Sequence, residues 1–568
     1  MRNLLDKGTK CLIVQPKFPD LSLCNYDDVC TIAGARYIAP PLGLLTVAAL
    51  LPGQWTLKLI DENVEPLRDE HFTWADIVVT GGWLPQQLRI RSIIARSHSL
   101  GRPIAVGGPG PTAQPHIYKS ADYLVCGEGE ITVPLFLQDL AKGRSSGVYL
   151  TQEKADMAQA VVPRFDLIDF HNYVVVGIQF ARGCPFNCEF CDIIETYGRK
   201  SRTKTPGQIV KELQTLYDLG YRGHIDFVDD NFIGSKERAK KALSAMREWG
   251  EQHHFPFYFL AQVSLDVADD EELLTMMQGV EFKFIFTGFE TPDNEILKLT
   301  QKTQNVNKPF AESIRNIYAH GIVVFGFFII GFDKESARTA RNLVSAIQDA
   351  GICIPIVGTL FAIQNTQLAR RLKKEGRLFE RDVIQENDAM QMDQMTDGLN
   401  FITSRPRLEI LQDYVQVLTH VSDPRRFYQR LLHTGQQLAC SNKFNPGAVK
   451  MVQMVRMFFK LCFRAGFNTV TGWLYWKTLF IMLFKNPRAL DRVLSLAALF
   501  LHYHKQMQII IGVTNKKITA VSSIGEEQYN LLMLHGQEGL SSGPGSGSSR
   551  FAAADAAMLP NAPGRILP

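Results

Sequence analysis

One pattern limits the possible folds more than any other: short apolar runs of strand length alternate with helix-like segments, and the alternation occurs twice. The first series covers 11–14, 56–60, 77–80, 104–106 and 123–125. Each run closes in a Gly, Pro or acidic turn: Gln15-Pro16, Asp61-Glu62-Asn63, Gly81-Gly82, Gly107-Gly108-Pro109-Gly110 and Gly127-Glu128-Gly129. Helix-like segments such as 43–51 and 88–99 lie between them. This alternation predicts a parallel α/β sheet with helices on both faces. Such a sheet binds its ligand beyond the carboxyl ends of the strands, where these turns sit. Glycine there lets the backbone come close to a large flat ligand.

After a patternless linker over 142–163, the second series takes 174–180, 224–228, 257–263, 284–288, 323–330 and 354–363. Six such units predict an open or partial (βα) barrel with its active site at the C-terminal ends of the strands. In Thr205-Pro206-Gly207-Gln208 a capping Thr precedes a Pro at the first helical position and a Gln three residues on, the signature of a capping box. Ser235 and Thr291 read as further caps. From about 380 to 510 the pattern is helical and strongly apolar, and from about Gly536 the chain reads as a flexible tail, with Gly-Pro-Gly-Ser-Gly-Ser-Ser at 543–549. The expected organisation is a sheet domain over 1–145, a barrel over 165–375, a helical domain over 376–530 and a tail over 536–568.

A formal net charge of +4 on 568 residues, with no dense Lys/Arg run, argues against a nucleic-acid partner. The stretch 470–503 is the most membrane-like, but Lys477, Lys485, Arg488, Asp491 and Arg492 interrupt it. It has no uncharged run of the roughly 18–20 residues that span a bilayer, so buried or interfacial helices are expected. The amino terminus lacks the long apolar run of a secretory signal, which predicts a cytoplasmic location. In that reducing setting clustered cysteines signal metal or catalysis rather than disulfides.

Of ten cysteines, seven (Cys11, Cys24, Cys30, Cys126, Cys353, Cys440, Cys462) are scattered, and three fall within eight residues. These three occupy Arg182-Gly183-Cys184-Pro185-Phe186-Asn187-Cys188-Glu189-Phe190-Cys191, a C-x3-C-x2-C spacing just after the first strand of the second series. Three thiolates on one loop suit zinc or an iron–sulfur cluster. Structural zinc needs a fourth Cys or His, and the nearest candidates, His171 and Cys126, lie outside the loop. Three ligands to a four-iron cluster leave one iron open.

The motif resembles the C-x3-C-x-aromatic-C of radical S-adenosylmethionine (SAM) enzymes, matched by Cys188-Glu189-Phe190-Cys191. The resemblance implies a 4Fe–4S cluster on Cys184, Cys188 and Cys191, SAM chelated at the open iron, and a reducing donor such as flavodoxin or ferredoxin. SAM is then cleaved to methionine and a 5′-deoxyadenosyl radical that removes a substrate hydrogen, with the protein orienting the cofactor. Phe227-Val228-Asp229-Asp230-Asn231 resembles the form this element takes in the cobalamin-linked subgroup. Gly288-Phe289-Glu290-Thr291 resembles the fourth-strand element, and Gly326-Phe327-Phe328-Ile329-Ile330-Gly331-Phe332 resembles the fifth. Implied SAM contacts are Phe190, Asp229, Asp230, Asn231, Glu290, Gly326 and Gly331. The sixth element, Ala362-Ile363-Gln364-Asn365-Thr366-Gln367-Leu368, has Gln364 and Gln367 where the family usually carries Pro.

A Rossmann-like domain ahead of such a barrel resembles the cobalamin-binding domain of class B radical SAM methyltransferases. Implied cobalamin contacts are Gly81, Gly82, Trp83, Gly107, Gly108, Gly127 and Glu128. Asp69-Glu70-His71-Phe72-Thr73-Trp74 approaches the Asp-x-His-x-x-Gly cobalt-ligand turn but has Trp for Gly and follows the wrong strand, so His71 reads as an exposed helix residue. The lower cobalt ligand is then weak, absent, or supplied by water or the Trp83-Leu84-Pro85-Gln86-Gln87 loop. The family chemistry is methylation of an unactivated carbon: one SAM supplies the methyl through cobalamin, and a second supplies the radical. Cys191-Asp192-Ile193-Ile194-Glu195-Thr196-Tyr197-Gly198-Arg199 and the stretch to Pro206 resemble the branch with hopanoid C-2 methylases, which implies a lipid substrate. The helices around Trp473, Leu474, Tyr475 and Trp476 could line a lipid pocket, touch a membrane as a peripheral contact, or pack on the barrel.

Rival readings keep the same cofactors with ring closure or C–C coupling, or a methylthiotransferase, or a non-catalytic cobalamin sensor or zinc-stabilised scaffold. A methylthiotransferase needs a second cluster, and Cys11, Cys24 and Cys30 are bunched in the first strand and loop rather than spread over strand ends.

Overall fold

A strand buried on both faces needs apolar residues at nearly every position, and the inner strands of the first series meet that need. The computed structural model describes residues 8–19, 22, 25–379 and 395–535. In β1 (Lys10–Gln15), Cys11, Leu12, Ile13 and Val14 are all fully buried. Leu12 and Val14 pack into one core with Phe72 and Ile90, while Cys11 and Ile13 face a second core with Ala48 and Phe136, as a helix-covered parallel sheet demands. β1 pairs in parallel with β2 (Thr56–Asp61) and β3 (Ile77–Gly81); β4 (Ile104–Gly107) and β5 (Tyr123–Cys126) follow. With a sixth strand, β6 (Gly147–Leu150), the spatial order is β2-β1-β3-β4-β5-β6, so the chain reverses direction across the sheet at β1/β3, a switch point that opens a crevice at the strand ends.

The sixth strand, β6 (Gly147–Leu150), lies inside the stretch expected to be a patternless linker. It is short, and its outer residues Val148 and Leu150 are exposed. An edge strand with one covered face lacks the continuous apolar run of the inner strands, and β2 at the opposite edge likewise alternates, with Thr56 and Lys58 exposed.

The second series forms an open barrel. Its parallel strands are β7 (Val176–Ile178), β8 (Gly223–Phe227), β9 (Phe257–Gln262), β10 (Phe282–Glu290), β11 (Val323–Ile330) and β12 (Pro355–Thr359), each hydrogen-bonded to the next in chain order. β7 and β12 are shorter than expected because their outer residues leave the ladder. Phe227, Phe259 and Phe282 meet at centroid separations of 5.4–5.8 Å in the layer between sheet and helices.

The helix starts are partly as expected. Thr205 accepts a hydrogen bond from the Gln208 amide, and the reciprocal bond completes the capping box. Ser235 precedes its helix without a capping bond. Thr291 is not the cap of the following helix. Asp293 takes that place, accepting from the Glu295 and Ile296 amides, and the helix is Asn294–Leu299.

Helices Arg407–Val421, Pro424–Gln437, Gly447–Gly466, Gly472–Lys485, Leu490–Ile524 and Glu526–His535 complete the described chain. The first five share one core with the barrel: Tyr503 donates to the Pro355 carbonyl (2.7 Å) and Tyr414 to that of Val357 (3.0 Å). The expected tail lies outside the described residues. No described helix is long and apolar enough to cross a membrane.

Candidate active site

The carboxyl ends of both sheets open into one cavity of about 1680 Å³, well beyond the roughly 300–1,000 Å³ of a pocket for one drug-sized ligand. From the first sheet Gly81, Gly82, Trp83, Gly107, Gly108, Gly127 and Glu128 line it; from the barrel come Cys191, Asp226, Asp229, Asp230, Gln262 and Phe286. Leu42 and Tyr37 form part of the wall between, and Gln364, Lys517 and Tyr529 border it from the carboxyl-terminal side.

The glycines serve the first-sheet wall in a way the sequence did not reveal. A Cβ on Gly81 would stand 2.5 Å from the Gly107 carbonyl oxygen, and one on Gly107 2.6 Å from that of Val125. Neighbouring strand ends therefore press backbone on backbone, and their close packing makes the flat wall on which a ligand could lie. Gly108 also needs glycine for its φ of 96°. Trp83 projects from this wall and is 58% exposed. Gln86 bonds the Trp83 amide and the Pro16 carbonyl, and Gln87 bonds Gln114, so both glutamines serve the scaffold. Among the described residues, no histidine lines the cavity. His71 is buried rather than exposed; its Nδ1 accepts from the Arg68 amide (3.2 Å) and caps its helix.

Glu128 is committed elsewhere. Its carboxylate is gripped by Arg182 (2.9 Å) and by both terminal nitrogens of Arg202 (2.9 and 2.7 Å), while Arg182 also makes a fork with Glu130 (2.9 and 2.7 Å). Burial pulls the Arg182 guanidinium down, but Glu130 and Glu128 hold it above its usual range. This buried clasp ties the first domain to the cysteine loop, and Tyr173 adds a bond to Asp61 (3.0 Å). Glu128 therefore lines the cavity as a clasp residue, with its side chain unavailable to a cofactor. Arg182, Arg202 and Glu130 went unnoticed in the sequence because their partners lie dozens of residues away.

The cysteine loop is held from below. Gly183 has φ 86°, and a Cβ there would come within 2.7 Å of the Lys200 carbonyl oxygen. Asp229 accepts from the Phe180 amide (2.7 Å) and Asp230 from that of Gly183 (2.8 Å). Burial raises Asp229 to about 8 and Asp230 to about 6, against the pull of those amides. Both carboxyls thus shape the loop; the second oxygen of Asp229 has no partner among the described residues. Asn231 bonds Ser264 (3.1 Å), and its Oδ1 accepts from the Ser264 amide (3.3 Å). Asn187, Gln301 and Gln367 close a ring of amides around the loop. Gln367, one of the two departures from the family pattern, therefore fastens the cysteine loop and begins helix Gln367–Lys374.

Cys184, Cys188 and Cys191 face one another closely enough to interact electrostatically, and burial pushes all three thiols up, Cys191 to about 12. Lys302 stands among them, paired with Glu290 (2.7 Å), and Gln304 approaches Cys188 (3.7 Å). Glu290 has φ 64° where β10 slips register beside Gly288, a strained conformation of the kind that concentrates at functional sites. No three described His, Cys, Asp or Glu side chains converge tightly enough for one metal ion. Three thiols on one loop fit an iron–sulfur cluster, which cysteine thiolates hold, whereas structural zinc takes four Cys or His ligands. Cys11 and Cys30 are buried in a strand and a helix; Cys24 lies outside the described residues.

Other expected contacts lie away from the cavity. Phe190 packs on Phe332 (5.9 Å). A Cβ on Gly326 would press on the Phe328 and Phe289 rings, and one on Gly331 would meet Leu399 at 2.5 Å. These glycines make room for side chains behind the site. Asp226, unremarked in the sequence, faces the cavity from β8 with Leu260, Gln262 and Phe286 nearby. One of its oxygens is buried without a partner among the described residues, and burial raises the carboxyl to about 7.

Comparison with known proteins agrees with this architecture. Residues 178–347 match the radical SAM superfamily, and residues 366–515 match a domain of unknown function, DUF4070. The chain is 36% identical over 507 residues to an uncharacterized methyltransferase of Synechocystis sp. (strain ATCC 27184 / PCC 6803 / Kazusa), covering 88% of this chain and 92% of the relative. It is 36% identical over 352 residues to hopanoid C-2 methylase of Rhodopseudomonas palustris (strain TIE-1), covering 61% and 67%. In fold it is similar to the cobalamin-dependent SAM radical enzyme OxsB (TM-score 0.55, 15% identity, covering 93% of this chain and 83% of that one). It is also similar to the radical SAM methyltransferase TsrM of Kitasatospora setae (0.53, 17%, 65% and 78%). The paired parallel sheets, the thiol triad and this kinship agree: the chain belongs to the radical SAM methyltransferase family, in company with hopanoid C-2 methylase.

Proposed function

We propose that this enzyme methylates an unactivated carbon of a lipid such as a hopanoid, with a 4Fe–4S cluster and SAM in the barrel and cobalamin against the first sheet. One observation carries the reading: a single cavity is walled by the glycine-rich strand ends of the first sheet and reaches Cys191, Asp229 and Asp230 of the barrel. Trp83, exposed on the first-sheet wall beside Gly81, Gly82, Gly107 and Gly108, would lie against cobalamin bound there. The apolar lumen residues Leu260 and Phe286 suit a hydrocarbon substrate. A reducing donor such as flavodoxin or ferredoxin and contact with a membrane belong to the same reading.

When bound, these groups supply a hydrogen-abstracting radical and a transferable methyl group. The chain's own residues then do the following. Cys184, Cys188 and Cys191 would hold the iron, and Gly183, Asp229 and Asp230 set the loop that presents them. Lys302 places a cation beside the thiolates. The Arg182 clasp fixes the first-sheet wall relative to that loop, on opposite sides of the one cavity. The lumen's phenyl and aliphatic groups keep out water.

Deletion of the encoding gene, followed by lipid mass spectrometry, tests the proposal. The expected result is loss of a lipid one methylene heavier than its remaining precursor, and purified enzyme should transfer deuterium from methyl-labelled SAM into that lipid. A product lacking two hydrogens and carrying no label would replace methylation by ring closure.

A further inference from the structure

Helices Gly447–Gly466 and Gly472–Lys485 are apolar on both sides. Their inner faces pack into the core through Leu461, Cys462 and Ala465, and through Tyr475, Leu479 and Met482. Their outer faces should then be polar, and they are not. Val452, Val455, Phe459 and Phe463 fall at helical spacing on the first helix and are 48–71% exposed; Trp473, Phe480 and Phe484 on the second are 57–86% exposed. Twelve of the twenty exposed large apolar side chains among the described residues lie between 449 and 484. A concentration of that kind marks an interaction surface rather than the scattered exposure of any protein.

The charge around this face is one-sided. From 424 to 490 the sequence has no Asp or Glu, and eight Lys and Arg fall between 443 and 490. Arg456, Lys477, Lys485 and Arg488 are exposed and make no ion pair with any described residue. Lys477 sits between Trp473 and Phe480 on the helix, placed to lay its stem on apolar neighbours with its ammonium outward. Neither helix is long and apolar enough to span a bilayer. Large aromatics and leucine at the centre, unpaired cations around them and no acidic residue describe a surface that lies in the interface of an anionic membrane.

We propose that the outer face of these two helices docks the enzyme on an anionic lipid bilayer. This extends the lipid-substrate reading to the place where the substrate is met. The docking helix is fastened to the wall of the cavity: Gln453 and Lys460 bond the Ala33 and Thr31 carbonyls, and Arg464 pairs with Asp28 (3.0 Å). Helix Asp27–Ala33 leads within four residues to Tyr37, which lines the cavity.

The test is flotation of the full-length protein with vesicles of phosphatidylcholine alone, and of phosphatidylcholine and phosphatidylglycerol in equal parts. The wild type should partition more than tenfold better onto the anionic vesicles and lose that preference in high salt. The variant Phe463→Ser/Trp473→Ser/Phe484→Ser changes only exposed positions, so its melting temperature should match the wild type while its partition falls at least tenfold. A Lys477→Gln/Lys485→Gln/Arg488→Gln variant should lose the anionic preference alone. Equal flotation of wild type and both variants overturns the proposal. So does a wild-type dimer that the first variant makes monomeric without any vesicle binding, which would assign the face to a second copy. Flotation uses no substrate, so docking with no methylated lipid would refute the lipid-substrate reading and leave this one standing.

Discussion

Replacing Asp226 with Asn should alter the pH dependence of stability in a calculable way. Burial alone raises this carboxyl from the usual 3.8 to about 7, and one of its two oxygens is buried without a hydrogen-bond partner among the described residues. The folded state keeps the proton up to about pH 7, whereas the unfolded chain releases it near pH 4. Between those limits the folded state binds more protons, so stability falls as pH rises and levels off above about pH 7. At about 1.4 kcal/mol per pH unit, the roughly three units from 3.8 to 7 amount to about 4 kcal/mol, of which about 3 is lost between pH 5 and 8. An Asn side chain does not ionise and loses none of it. Thermal melting of the cofactor-free chain at both pH values should show the Asp226→Asn variant gaining on the wild type by about 3 kcal/mol at the higher pH. For a unit of this size that is roughly 6–12 °C. Parallel pH curves for the two proteins would refute the reasoning, because Asp226 would then have a partner or free access to water.

Three further substitutions probe the site. Arg182→Met leaves Glu130 without its fork and should cost about 3–5 kcal/mol, as breaking a buried pair does; a melting shift equivalent to less than about 1 kcal/mol would show that the clasp is not holding the domains. Gly183→Ala forces a Cβ against the Lys200 carbonyl at a left-handed φ, so iron content after anaerobic reconstitution should fall sharply with all three cysteines intact, and full iron loading would contradict this. Asp229→Ala frees the Phe180 amide, and both iron content and SAM affinity should drop; weaker SAM binding with full iron would instead make Asp229 a direct SAM contact.

Much of this architecture was legible in the sequence because buried parallel strands write themselves as continuous apolar runs. Whereas β2 alternates around Lys58 and β8 carries His224 and Asp226, β1, β3, β4 and β5 and most of the barrel strands announce themselves in this way. β6 does not, since Val148 and Leu150 point to solvent and so short a strand carries too little pattern. The cysteine triad was visible because its ligands are neighbours in the chain. The Arg182–Glu128–Arg202 clasp was invisible because its partners are 54 and 74 residues apart, and no local spacing encodes such a meeting. Gly81 and Gly107 were legible as special positions, but their reason was not: what touches their missing Cβ is another strand end. Trp473 was ambiguous between core and surface until packing showed Tyr475 turned inward and Trp473 turned out.

The central claim is that three sulfurs of one loop carry an iron–sulfur cluster that opens SAM. Anaerobic reconstitution of the wild type beside Cys188→Ala, with iron and sulfide analysis and reductive SAM cleavage on the same samples, tests it most directly. The wild type should bind about four irons per chain, as the cluster type requires, and form 5′-deoxyadenosine, and the variant should do neither. Zinc in place of iron in the wild type, or undiminished SAM cleavage by the variant, would contradict the account.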